Sequence, residues 1–302
     1  MIDFTLMITA LPVLGGDSLS SRRLISAGGG FNMMSDARRQ GLEALYLGQL
    51  GVGPFADIAR ETLEAEGIEV VLAARGNMDL GVCVVLVDQT GERTFVTSSG
   101  AELTIRSEEL SSTGLGVHDV VYVSGYNVVY PQIADVVSEW LSTLAPEVVV
   151  AFDPGPRAAD IEPTLMATVL RRTDWLLANA LEARLLSGEV DVADCAQNLR
   201  ERWNCDRVVV RDGEHGCVSA GHDGTLRAPG FRVAVVDTNG AGDVHNGVVI
   251  AELSRGTSPP ESLLRANAAA AIAIATLGPA TCPPRANVTA MLLAQPNSVA
   301  RL

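Results

Sequence analysis

The chain has 302 residues, 47% of them hydrophobic but only 4% aromatic, so a sizeable core must be packed by Ala, Val and Leu. A formal charge of -14 leaves no basic stripe for nucleic acid and no attraction to an anionic membrane surface, although backbone amides can still hold an anionic ligand locally. The five cysteines (Cys83, Cys195, Cys205, Cys217, Cys282) lack metal-ligand spacing, the first residues lack a basic leader, and the longest apolar run, 268–275, is too short to span a bilayer. A reducing, cytoplasmic setting is expected.

In chain order, residues 4–13, broken by Pro12, and residues 22–27 read as strands joined by turns at Gly15-Gly16-Asp17. Gly28-Gly29-Gly30 opens a helix over 31–40, closed by Gly41, with Asn32 in a first turn where packing gives it no reason to be. A short strand follows at 45–50. Residues 54–67 form a helix with Pro54 at its start, Gly67 at its end and Phe55, Ile58, Ala59 and Leu63 on one face. The period then changes to two: 81–87 and 93–97 make a β-hairpin turned at Asp88-Gln89-Thr90-Gly91. With the early strands it would form a small sheet standing off the main body.

From Val117 the alternation is regular. Strands at 120–123, 148–152, 175–178 and 207–210 are separated by helices at 131–144, 162–172, 180–186 and 192–203, the pattern of a parallel sheet with crossover helices. A hairpin-like stretch, 216–228, comes next, and helices at 241–255, 258–276 and 286–293 end the chain.

The stretch before the first of these last helices stands out. An apolar run, 233–236, meets Asp237-Thr238-Asn239, then Gly240-Ala241-Gly242 and an acid, Asp243, which reads as strand, tight turn and helix N-terminus. Unpaired N–H groups at Gly240, Ala241 and Gly242 and the helix dipole would favour an anion there. Asp243 beside them suits a general base, and it equally suits an ordinary first-turn acid. In open α/β sheets ligands sit at the carboxyl ends of strands. Asp153, Asn179 with Glu182, and Arg211-Asp212-Gly213 all fall at such ends. Each has a plain account as a turn or cap; Asn179 and Glu182 have the spacing of a capping box. Their functional account is a hydrated Mg²⁺ near a triphosphate. Together on one rim they favour a nucleotide–phosphate site. A Walker A sequence is absent, and His245 reads as packing.

Five segments carry a resemblance to the PfkB (ribokinase-like) carbohydrate kinases: GGGFNMMSDARRQG at 28–41, LGQLGVGPFADIARETLEAEGI at 47–68, VVLVDQTGERTFVTSSGAE at 84–102, TDWLLANALEARLLSG at 173–188 and VVDTNGAGDVHNG at 235–247. SGYN at 124–127 and DPGPR at 153–157 look most like an uncharacterised bacterial sugar-kinase subgroup. The resemblance implies a single ribokinase-like domain over 1–302: a three-layer α/β/α fold with a mostly parallel central sheet. Its core would be about 28–76 and 101–302, under a small β-sheet lid from about 4–27 and 77–100.

The activity implied is ATP-dependent transfer of the γ-phosphate to a hydroxymethyl group of a small sugar. Asp243 would be the base, and Gly240, Ala241 and Gly242 the anion hole. Asn179 and Glu182 match the family's N-x-x-E pair, which serves Mg²⁺ and phosphate, Glu182 acting through water. Gly28, Gly29 and Asn32 match its sugar-contacting turn, and Asp3 its sugar-gripping acid. Gly213, Gly216 and Asn267 fall at the adenine and ribose pocket. Arg211 replaces a common Thr and reads either as a phosphate partner or as a trait of the subgroup. Asp237 and the Gly278 loop match loosely a monovalent cation (K⁺) site. The alternatives are a nucleoside kinase of the same fold and a non-catalytic sugar- or nucleotide-binding relative. A homodimer through the lid is expected. The chain departs from the family at Asn239 (usually Thr), at His245 (usually Phe) and before Asp3, where only Met1 and Ile2 precede it; either one strand is missing or the start is assigned too far downstream.

Overall fold

The computed structural model describes residues 1–276, 278 and 281–302. The chain begins with β1 (Ile2–Met7) and β2 (Arg22–Ala27), followed by α1 (Gly30–Arg39) and a short strand, β3 (Leu45–Tyr46). Next come α2 (Pro54–Ala65), β4 (Glu69–Val70) and the hairpin β5 (Val82–Val87) and β6 (Arg93–Ser98). The regular alternation starts with a one-turn helix, α3 (Ser107–Ser111), then β7 (Val120–Ser124), α4 (Tyr126–Val129) and α5 (Pro131–Thr143). It continues through β8 (Val149–Asp153), α6 (Pro163–Arg172), β9 (Trp175–Asn179), α7 (Ala180–Ser187), α8 (Val192–Trp203) and β10 (Arg207–Arg211). The hairpin β11 (Cys217–Gly221) and β12 (Gly224–Ala228) precedes α9 (Ala241–Ser254), α10 (Pro259–Ile274), α11 (Arg285–Ala294) and a final strand, β13 (Ala300–Arg301).

The larger sheet has seven strands in the order β13-β12-β11-β10-β9-β8-β7. Its β7–β10 half is parallel and carries the expected crossovers; from β10 to β13 every pair is antiparallel, because that half is built by a hairpin and a returning C-terminal strand. The parallel strands are apolar on both faces, as strands covered by helices twice over must be. Val208 and Val210 enter one core with α5, α6 and α8, whereas Val209 enters the other with α1, α9 and α10. Leu176 and Leu177 divide in the same way, as do Phe152 and Ala151. The result is three layers, α/β/α.

A separate four-stranded sheet, β2-β1-β5-β6, joins the first strands to the 82–98 hairpin, with β1 antiparallel to β2 and parallel to β5. Helix α2 packs against it: Leu63, Ala59 and Ala56 bury with Ile2 and Ala27, and Phe4 meets Phe55 edge-on at 5.5 Å between ring centroids. Three sequence expectations fail locally. The strand expected over 4–13 is Ile2–Met7. The strand expected at 45–50 is only Leu45–Tyr46. The apolar run 233–236 is no strand: Val235 and Val236 are exposed, and the amides of Val236 and Asp237 both donate to Ile274 O, at 2.8 and 3.0 Å, at the end of α10. Apolarity there comes without a neighbouring strand to pair with.

Candidate active site

Helix α9 is buried almost all round from Val244 to Glu252, so its N-terminus is held as rigidly as the core. The turn before it reaches Gly240, at φ 74°, a left-handed conformation that glycine adopts without cost. The Ala241 N–H closes that turn onto Thr238 O at 3.4 Å. Among the described residues, the N–H groups of Gly240 and Gly242 meet no backbone carbonyl. Two of the three expected donors are therefore without a backbone partner among the described residues, at the positive end of a 14-residue helix.

Asp243 lies in the first turn of α9, where Asn32 Nδ2 donates to its Oδ2 at 3.3 Å. Asn32 comes from α1, and Gly247 lets α1 approach. A Cβ at Gly247 would lie 2.9 Å from Met33 O and 3.0 Å from both Ala37 N and Asp36 Cβ. Burial first, and then the charge of Asp153, push the Asp243 carboxyl up to about 7, against the opposing pull of Asn32 and Arg211. A carboxylate poised there can accept a proton near neutrality.

Asp3 stands on β1 at the edge of this place, and its charge is felt by Asp243. Gly28 is glycine because Asp3 leans on it: a Cβ would fall 2.0 Å from Asp3 Oδ2. Burial raises the Asp3 carboxyl to about 6, with the N-terminal ammonium opposing. Of the expected sugar-contacting turn, Asn32 reaches Asp243, whereas Gly28 lies against Asp3.

Behind the 237–242 turn lies a polar network. Arg211, at the end of β10, donates to Asp153 Oδ2 at 3.2 Å and to Asn246 Oδ1, and stands 3.7 Å from Glu182 Oε2. Asn246 Nδ2 donates to the same Asp153 oxygen at 2.5 Å. The Arg211 guanidinium comes within 3.6 Å of where a Gly242 Cβ would sit, which puts it directly beneath the turn. The Asn179–Glu182 capping box is real. Glu182 N–H donates to Asn179 Oδ1 at 2.9 Å, and Asn179 N–H and Nδ2 donate to the two Glu182 oxygens at 2.7 Å. Burial, and then the nearby Asp153 charge, raise the Glu182 carboxyl.

The remaining expected residues sit further out. Gly213 and Gly216 bound a single turn after β10. Asn267, on α10, donates to Ala228 O and Pro229 O, both at 3.0 Å, and accepts from His245 Nε2 at 3.1 Å. Its amide is committed to the wall of the fold. Burial pushes the His245 imidazole down to about 3, so it is neutral and packs, as the sequence reading held. Asp237 accepts from Asn239 N–H at 2.9 Å, from Gly278 N–H at 3.0 Å and from the Arg93 guanidinium. Sequence reasoning missed Asn246, which its place one turn after Asp243 could have signalled. It also missed Arg93, which nothing local to the hairpin marks. Among the described residues, no group of three or more His, Cys, Asp or Glu is arranged to hold a metal ion, and no helix is long and apolar enough to cross a membrane.

With a carboxylate in the first turn of a helix N-terminus, on an α/β/α frame with a second small sheet, the chain is comparable with phosphotransferases that act on an alcohol group, and its relatives place it in that class. The chain belongs to the pfkB family of carbohydrate kinases, whose model matches residues 12–286. It is 30% identical over 301 residues to the uncharacterized sugar kinase YegV of Escherichia coli (strain K12), with 98% of this chain and 92% of that one covered. The structure of a ribokinase from Thermotoga maritima is similar at a TM-score of 0.81 and 26% identity, with 97% and 96% covered. That of a putative ribokinase II from E. coli in complex with ATP and Mg²⁺ shares the fold at a TM-score of 0.80 and 19% identity, with 97% of each chain covered. The protein is a sugar or nucleoside kinase of this family.

Proposed function

We propose that the enzyme transfers the γ-phosphate of ATP to a hydroxymethyl group of a small sugar, with Asp243 as general base. The observation that carries this reading is the placement of Asp243 beside the open N–H groups of Gly240 and Gly242, with its carboxyl raised to about 7. The acceptor hydroxyl would meet the Asp243 carboxylate, which Asn32 holds in place at 3.3 Å, with Asp3 holding a neighbouring hydroxyl. Asp243 takes the hydroxyl proton as the new P–O bond forms; the bond between the β- and γ-phosphates breaks and ADP leaves. Gly240 and Gly242, with the Arg211 charge beneath them, stabilise the phosphoryl group in transfer.

ATP and Mg²⁺ are supported by the related structure that holds both. Both Glu182 oxygens already accept protein hydrogen bonds, which fits contact with a hydrated Mg²⁺ through water rather than direct ligation. The bound ion would shield the triphosphate charge. Gly213 and Gly216 would edge the nucleotide pocket, and Asn267 would fix its wall through Ala228 and Pro229. The small sheet would act as a lid that excludes water, a competing acceptor. Its edge strands β2 and β6 expose Leu24, Ile25, Phe95 and Val96, a surface suited to a homodimer that light scattering would detect.

The test is ADP release over a panel of pentoses, hexoses, sugar acids and nucleosides. Release that depends on a sugar supports the reading. Release with nucleosides alone moves the acceptor class, and no release with any acceptor refutes the kinase chemistry.

A further inference from the structure

Asp237 is the residue from which the anion-holding turn departs. Its carboxylate gathers three donors: the Asn239 N–H inside the turn, the Gly278 N–H beyond α10 and the guanidinium of Arg93. Arg93 belongs to neither segment. It opens β6, the outer strand of the small sheet, 144 residues earlier in the chain. The pair is well shielded, with side-chain exposures of 20% for Arg93 and 7% for Asp237, so salt screens it weakly.

The resemblance reserves this carboxylate for a free monovalent cation, yet a tethered cation already stands on it. We propose that Arg93 is the built-in cation of the 237–242 turn. It is a positioning residue that orders the Gly240 and Gly242 N–H groups from the small sheet, so that transfer runs without any free monovalent cation. Two physical points carry this. The shielded carboxylate already holds two backbone N–H groups, and Arg93 adds the third donor and the only positive charge among its described partners. The guanidinium also comes from the small sheet. Docking that sheet and setting the anion hole are therefore one event, and a diffusing ion would leave them independent.

The inference rests on the kinase reading, and its test separates the two. Wild-type ADP release, with whichever acceptor the panel finds, is measured in potassium, sodium and tetramethylammonium salts, and the rates are expected to be equal. Arg93→Ala should lower kcat by about 10- to 100-fold, the scale of a misplaced catalytic group. Millimolar guanidinium or K⁺ should recover several-fold of that loss while leaving wild type unchanged. Arg93→Met, which keeps the apolar stem, should behave in the same way and replaces the alanine variant if that variant does not fold. Amide hydrogen exchange of the peptide over 236–247 gives a readout free of turnover: faster in the variant, slowed again by guanidinium. Stimulation of wild type by K⁺, a variant with unchanged kcat, a loss that no cation recovers, or unchanged exchange would each overturn the proposal. If no acceptor yields ADP, the kinase reading fails, and the exchange experiment still decides the role of Arg93.

Discussion

Gly247→Ala isolates the spacing between α1 and α9. Gly247 is helical and lies one turn beyond Asp243, so alanine costs nothing in backbone conformation and is favoured by about 1 kcal/mol in helix propensity. The added methyl would sit 2.9 Å from Met33 O and 3.0 Å from Ala37 N and Asp36 Cβ, two of these being backbone atoms that no rotamer change can move. Ordinary contact requires roughly half an ångström more, and only a shift of α1 supplies it. The same shift stretches the Asn32–Asp243 hydrogen bond from 3.3 Å to beyond hydrogen-bonding range. Overpacking of this kind costs about 1–3 kcal/mol, so net stability should change by about 0–2 kcal/mol. The catalytic effect should be larger in proportion. Without Asn32 to favour its charged form, the Asp243 carboxyl rises further above about 7. At neutral pH more of the enzyme is then protonated and inactive. We expect kcat/KM at pH 7 to fall about tenfold, with the acid limb of the pH profile moved to higher pH. Thermal unfolding and a pH–rate profile measure both quantities. A variant whose limb and melting temperature match wild type would refute the claim that Gly247 sets this geometry.

Three further outcomes are expected. Asp243→Asn should remain folded and lose about 10²- to 10⁴-fold in turnover, and wild-type kcat/KM should rise with pH through a limb near 7, where Asp243 gives up its proton. Arg211→Lys should lower kcat, because a single ammonium cannot span Asp153, Asn246 and Glu182 together, while circular dichroism shows the fold retained. Glu252→Gln should destabilise the protein by about 3 kcal/mol, since Glu252 is fully buried among Arg255, Arg265 and Arg285. Against the upward push of burial, Arg285, Thr257 and Arg265 hold the Glu252 carboxyl below its usual value, so its contribution is present above pH 4.5 and is lost as pH falls below it; urea unfolding at two pH values checks the sign.

Much of the frame was legible because local rules and tertiary demands agree. Strands buried on both faces read as continuous apolar runs, and helices such as Val192–Trp203 carry caps and stripes that single residues announce. The rim residues were legible for the same reason, since Asp153 and Asn179 close the strands β8 and β9 and Asp243 lies in the first turn of α9. What escaped depends on pairs distant in the chain. The run 233–236 has the composition of a strand, but pairing needs a neighbour, and Ile274 O takes its amides instead. Arg93 and Asp237 meet only because two sheets dock. Asp36 is similar: a fully buried acid on α1, pushed up to about 8 by burial and then by Asp243, it looks in the sequence like an exposed helical residue.

The leaning of Asp3 on Gly28 has a consequence for redesign. The acid proposed to react and the cradle proposed for phosphate both ride on α9, whereas the acid placed to grip the acceptor rides on β1, in the other sheet. The proposed base and the proposed gripping acid therefore come from different pieces of scaffold, joined by the Arg93–Asp237 contact. On those proposed roles, exchanging segments 2–27 and 82–98 should change acceptor preference, which the same panel of acceptors would measure. Such a transplant carries two conditions from its host: a carboxylate that fits against the bare face of Gly28, and a positive charge placed to meet Asp237.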